Sequence, residues 1–282
     1  MTHTSFLRTL MVSVLVCANL LVCGVSAVSL LQSRRQYEVL AQTTTQNIAT
    51  ALDQNLANSV QKIDLSLRNV VDDLEFQLAH KGLDETLTAG LLTRLERRLP
   101  EVEGFRVSNA QGLIILGKHV RKEDLASIAD REFFIHLRDH PDAELQITKP
   151  LVGRVSKRNV IIFARRYNYP DGSFAGIVNS TIIVEHFAKL LENFNLGARG
   201  TIVLRDLDLG LIARYPYIGE QPSGKLGNSI VSPEFRQQIA SGVQSATYYT
   251  PASPDGVERT ISFRRMRNVP MIVVAGVGSD DY

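Results

Sequence analysis

The stretch from Asn159 to Ile183, NVIIFARRYNYPDGSFAGIVNSTII, decides how the chain reads. Asn159–Tyr167 and Phe174–Ile183 are rich in β-branched and aromatic residues, and Asp171-Gly172 is a turn pair between them, so the stretch predicts an antiparallel hairpin. Side chains alternate faces along a strand. Ile161, Phe163, Arg165 and Tyr167 therefore share one face, and Val160, Ile162, Ala164 and Arg166 share the other. One arginine falls on each face. Under a covered face it needs a partner, because an unpaired buried charge costs several kcal/mol. Leu145–Tyr169 also holds Lys149, Arg154, Lys157 and Arg158, with no Asp or Glu. Two readings stay open: solvated arginines at strand ends, or arginines facing an anion, which a carboxylate would meet bidentately.

Working outward, Gly104–Gly117 reads as strand, turn, strand, with Phe105-Arg106-Val107 first and Leu113–Leu116 second. Lys122–His140 reads as a helix, Leu145–Leu151 as a strand and Val184–Phe194 as a closing helix. A smaller unit repeats the plan. Gly200–Arg205, Leu211–Arg214, Ala246–Thr250, Glu258–Arg264 and Met271–Val277 read as strands, with a short helix at Ser232–Ser241. Strands and helices grouped this way predict two small α+β domains in tandem with antiparallel sheets.

Upstream of both units, Ile48, Leu52, Leu56, Val60, Ile63, Leu67, Val71, Leu74 and Leu78 recur at steps of three or four, one face of a helix. No proline interrupts Gln36–Leu99. The pattern fits a helix packed along a domain, or a stalk that continues from a membrane span and pairs with a second copy. A shorter helix is expected at Glu85–Leu99, ended by Pro100. Further upstream, TLMVSVLVCANLLVCGVSAVSLL (Thr9–Leu31) carries no charge and exceeds the roughly 20 residues that cross a bilayer. A cleaved signal peptide is the rival, with Val25-Ser26-Ala27 as a cleavage site, but signal cores run to only about 7–15 residues. The expected division is 1–35 tail and transmembrane helix, 36–82 stalk, 83–196 distal domain and 197–282 proximal domain. Arg34 and Arg35 after the span, against Arg8 before it, place the C-terminal side in the cytoplasm by a strict count of positive charges.

Lys plus Arg number 31 against 29 acids, a net charge of +2, which gives no footing to a nucleic-acid binder. Both cysteines, Cys17 and Cys23, lie in the apolar segment, so the rest of the chain can build no disulfide, zinc site or thiol nucleophile. Phosphate loops, nucleophile elbows and dinucleotide fingerprints are absent from the sequence, and an enzyme is not expected. No cofactor is expected. His136 and His140 stand four apart on a predicted helix, an arrangement that a solvated helix face explains as well as a metal does. In Asp130-Arg131-Glu132-Phe133-Phe134, Arg131 beside two aromatics fits either a clamp on a small anion or a helix start, with Asp130 as N-cap and Phe133 and Phe134 in the core.

Taken in order, Asp130–Phe134, Ile161–Tyr167 with its two arginines, Asp171–Gly176 and Gly210-Leu211-Ile212-Ala213-Arg214-Tyr215-Pro216 resemble the double Cache, PAS-like extracytoplasmic sensor regions of bacterial transmembrane receptors. Val273–Tyr282 resembles the strand before a second span in such receptors. The resemblance implies a domain 36–282 in the periplasm, carried by the bacterial inner membrane, against the charge count. It further implies a homodimer through the stalk and signalling to a diguanylate cyclase or histidine kinase output domain that this sequence does not contain. The alternative is an anchored binding protein without its own output. The amino-acid-sensing branch carries an Arg-x-aromatic-aromatic signature, which Arg131-Glu132-Phe133-Phe134 matches. The resemblance thus implies a carboxylate ligand on Arg131 in the distal domain, with Phe133, Phe134, Arg165, Arg166, Tyr167 and Thr181 as further contacts. Ala126 stands where that branch has tyrosine and Thr181 where it has aspartate, so an organic acid fits better than an amino acid.

Overall fold

The protein is described by a computed structural model covering residues 2–219 and 221–281, except for the side chains of residues 2–10 and 12–14. The side chains of His3, Arg8 and Thr9, and the terminal Tyr282, thus lie outside the described residues. One helix, α1 (Thr2–His80), joins the apolar segment and the stalk without a break. Its apolar window, of mean hydropathy 2.0, is wholly unburied and is long and apolar enough to cross a membrane. Beyond it the buried positions are Ala41, Thr45, Ala49, Leu52, Leu56, Ile63, Leu67, Val70, Leu74 and Gln77; of the face foreseen from the spacing, Leu52, Leu56, Ile63, Leu67 and Leu74 are buried, and Ile48, Val60, Val71 and Leu78 are half-buried against the same core. Fully burying each large one is worth about 1.5–3 kcal/mol.

Two antiparallel sheets lie along the stalk. The first takes the order β2-β1-β6-β5-β3, from β1 (Gly104–Asn109), β2 (Ile114–Gly117), β3 (Gln146–Ile147), β5 (Asn159–Asn168) and β6 (Phe174–Ile183), with β4 (Leu151–Val152) also on β5. The second repeats that order as β8-β7-β11-β10-β9, from β7 (Thr201–Asp206), β8 (Leu211–Tyr215), β9 (Ser245–Thr250), β10 (Arg259–Arg265) and β11 (Met271–Gly278). The start of the stalk meets the second sheet. Thr45 shares a 2.7 Å hydroxyl hydrogen bond with Ser262, and Arg264 pairs with Asp53. Its end meets the first sheet, where Arg165 pairs with Asp64 and Asn168 donates to Glu75. The second sheet is therefore the one nearer the apolar segment. A single apolar core runs beneath the stalk across both sheets, joined by α2 (Glu85–Arg98) and α4 (Val184–Glu192).

The central hairpin forms as its sequence predicts. Gly172 takes φ 81° at the turn, and the Asp171 carboxylate accepts from the amide (2.9 Å) and hydroxyl (2.6 Å) of Ser173. A Cβ at Gly176 would lie 2.0 Å from the Ser108 carbonyl, so β1 and β6 meet at a contact that only glycine allows. Two expectations need correction. The helix foreseen over Lys122–His140 is confined to α3 (Glu132–Asp139). Residues 126–128 instead run beside β2, where Ile114 donates to the Ala126 carbonyl and Ile128 to that of Gly112. The strand foreseen over Leu145–Leu151 is split into β3 and β4, with Pro150, which has no amide proton to give, between them.

Candidate functional site

The even-numbered face of β5 and the matching face of β6 turn away from the stalk. There Val160, Ile162, Ala164 and Ile177 form a second core with Phe133, Phe134 and Leu137 of α3. Phe134 meets Phe174 edge-on at 5.5 Å. Arg131 occupies the N-cap position of α3 but makes no side-chain cap. Asp130, read as the cap, pairs with Arg154 instead. The half-buried Arg131 guanidinium donates to the Val152 carbonyl at 3.0 Å and lines a cavity of about 490 Å³ with Phe133, His136, Gln146, Thr148 and Lys149. The His136 and His140 rings stack at 4.3 Å, and no trio of metal-ligating side chains occurs among the described residues.

Arg131 and Phe133 are thus brought together at one cavity, while the other predicted contacts are spoken for by the protein. Arg165 lies on the opposite face of the sheet and holds Asp64 of the stalk through two hydrogen bonds of 2.5 and 3.0 Å. Tyr167, on that same face, donates its hydroxyl to the Ser108 carbonyl at 3.0 Å, and burial raises its pKa. Arg166 is buried behind α3. It donates to the Leu137 carbonyl (3.0 Å) and to Asn168 (2.7 and 2.9 Å), and lies 5.2 Å above the Phe174 ring. It thereby satisfies the carbonyl end of α3, where a cation is favoured. Thr181 belongs to a buried cluster at the edge of the α3 face. It accepts from Arg106 at 3.0 Å, and its hydroxyl donates to Glu103, which also pairs with Arg106 at 2.6 Å. Burial works to raise the Glu103 pKa, but Arg106, Thr181 and Lys118 together bring it below the usual carboxylate range.

The sequence reading passed over a second, larger opening of about 720 Å³ between residues 119–127 and the loop at 154–157. Arg121, Arg154, Lys157 and His119 line it against a single acid, Asp124, over an apolar floor that includes Ile114 and Val155. Arg154 also donates to the Ser127 carbonyl at 2.7 Å. His119 (φ 61°) and Lys157 (φ 56°) both hold left-handed backbone at its mouth, a cost that recurs at ligand clamps. The two cavities flank one segment, Leu151–Val155, which supplies lining residues to both. The acid-free run Leu145–Tyr169 was the signal for this cationic wall.

No family model and no curated protein matches the sequence. Solved structures do. The extracellular domain of a histidine kinase designated rpHK1S-Z16 superposes with a TM-score of 0.74 at 24% identity, over 86% of this chain and 96% of that one. The fold is the double Cache arrangement of two tandem PAS-like units. The same double Cache arrangement appears in the sensory domain of the Campylobacter jejuni chemoreceptor Tlp3 with isoleucine bound, at TM-score 0.61 and 13% identity, over 86% of this chain and 94% of that one. It appears again in the extracellular domain of the histidine kinase mmHK1S-Z3, at TM-score 0.62 and 12% identity, over 87% and 95%.

Proposed function

We propose that residues 36–282 are the extracytoplasmic sensor region of a bacterial signal-transduction receptor, held in the inner membrane by the apolar start of α1. The distal unit, residues 83–196, binds a small carboxylate at Arg131. The observation that carries this reading is the state of Arg131. A guanidinium offers five donors in a planar fork, and this one spends a single bond on the Val152 carbonyl at the wall of a 490 Å³ cavity. That volume lies within the range of small-molecule sites. A ligand carboxylate can take the fork bidentately, which a carbonyl cannot. Tlp3 structures hold isoleucine and L-valine, molecules that carry the same carboxylate. Here Ala126 and Thr181 leave the amino group of such a ligand without its partners, which favours an organic acid.

The route to the membrane runs through one strand. Arg166 holds the end of α3 from one face of β5, and Arg165 holds Asp64 of the stalk from the other. A shift of α3 on ligand binding therefore moves a strand that is ion-paired to α1. The ligand biases this two-state element only by its differential affinity for the two states. Exposed Leu65 and Phe76 give the stalk an apolar surface for a second copy.

Thermal-shift screening of carboxylates on the full chain tests the assignment. A hit raises the melting midpoint of the native protein but not of Arg131→Ala. A hit lost in Arg154→Ala and retained in Arg131→Ala moves the ligand to the larger cavity, whose cationic lining favours that second reading. A phosphatase fused after the second sheet is active if this side is periplasmic and silent if the charge count of the span decides.

A further inference from the structure

The membrane-proximal unit hides more positive charge than it neutralises. Arg205, Arg214 and Arg259 are all buried, at 4%, 8% and 2% exposure, and all line one small cavity between the second sheet and α5 (Pro233–Ala240). Among the described residues a single carboxylate pairs with any of them. Asp255 accepts from Arg259 at 2.6 and 2.9 Å and also from Arg214. Arg205 has no carboxylate within hydrogen-bond distance among the described residues. It donates only to carbonyls, those of Leu209 (2.5 Å), Asn228 (3.0 Å) and Ile230 (2.9 Å). Two further acids on these elements are committed elsewhere: Asp206 to the amides of Asp208 and Gly210, and Glu234 to the Thr250 hydroxyl. With the charge of Asp206, which acts on Arg205 through space, three cations face two anions and leave an excess of one charge behind Val203, Phe235, Tyr248 and Ile261, where low polarity makes every charge interaction stronger.

We propose that this cavity is a second anion site, taking a monoanion of halide or formate size held by Arg205, Arg214 and Arg259. It is independent of the distal carboxylate site, which lies on the other sheet. Its size fixes the guest. The cavity measures about 30 Å³, roughly twice what one water needs, so an ion of one to three heavy atoms enters and larger carboxylates do not. A water could fill the space but would leave the charge excess in place. The Ser253 hydroxyl also lines the cavity, is buried, and has no hydrogen-bond partner among the described residues, so it is a further donor for the ion. Burial, and then the neighbouring Arg214 charge, brings the Arg205 pKa down to about 10, with the Asp206 charge opposing the shift only in part.

The test uses the full chain in detergent, in a gluconate buffer whose anion is too large to enter, titrated with chloride, bromide or formate at constant ionic strength. The melting midpoint rises saturably, by about 5 °C at a hundredfold excess over the dissociation constant. Arg205→Gln loses the rise. An equal rise in native protein and variant, or no rise with any of the three anions, overturns the proposal. If Arg205→Gln does not fold, crystals of the native protein grown in bromide decide. An anomalous peak among the three guanidinium groups supports the site, and no peak there refutes it.

Discussion

The distal and proximal sheets share a strand order but answer their buried arginines differently. In the distal sheet each has its own partner: Arg106 has Glu103, Arg165 has Asp64, and Arg166 has carbonyls at the end of α3. Further cations, Arg121, Arg131, Lys157 and Arg154 (which also pairs with Asp130), line cavities of several hundred Å³. In the proximal sheet three arginines crowd one aspartate around a cavity of about 30 Å³. The same fold thus carries wide cavities in one unit and a small one in the other. The difference lies in where the surplus charge is kept: at open rims in one, behind apolar side chains in the other.

Removing the carboxylate that pairs with this cluster strains the contrast most. Asp255→Ala strands Arg214 and Arg259 together, and urea denaturation should report a loss of about 3–5 kcal/mol, the usual cost of breaking a buried pair. A loss below about 1 kcal/mol would mean that the cluster is hydrated and the contrast false. Glu103→Gln strands one guanidinium in the distal sheet, with Thr181 still beside it, so its loss in the same assay should be smaller, on the order of 2–3 kcal/mol.

Acid titration compares the two carboxylates directly. Burial works to raise both pKa values, but in Asp255 the paired Arg259 and Arg214, and in Glu103 the paired Arg106 with Thr181, bring the folded-state value below the ordinary one. The sign follows. A depressed folded pKa gives stability that is complete above the unfolded values near 4 and is lost as pH falls through the lower folded values. Stability measured from pH 6 down to 2 should therefore decline below about pH 4.5, and Asp255→Asn should flatten part of that decline. An unchanged slope would remove Asp255 from the ledger. The smallest effect belongs to the stalk contact. A double-mutant cycle on Asp64→Asn and Arg165→Gln should give a coupling of about 1 kcal/mol, because the pair is only partly exposed. Zero coupling would cut the proposed route from β5 to α1.

Much of this arrangement was legible in the sequence, because periodicity reports which face a residue occupies. The alternation in Val160–Tyr167 correctly sent Arg165 and Arg166 to opposite faces, and the three-four spacing from Ile48 to Leu78 gave the packed face of α1. Partners could not be read the same way. Asp64 lies 101 residues from Arg165, and only the folded chain brings the two together. Residues 122–131 looked helical by composition, but bonding beside β2 settled their form. Arg106, Arg205 and Arg214 each stand beside apolar strand residues, a signal of buried charge that was available and passed over, whereas Arg259 follows Glu258 at a strand start and gives none.

The claim on which the rest depends is that Arg131 holds a carboxylate in the distal cavity. Titration calorimetry of the strongest carboxylate found by screening, on native protein and on Arg131→Ala, tests it most directly. A charge-assisted bidentate contact predicts a dissociation constant weakened at least about tenfold in the variant, with stability otherwise retained. A dissociation constant unchanged within about twofold would contradict the account.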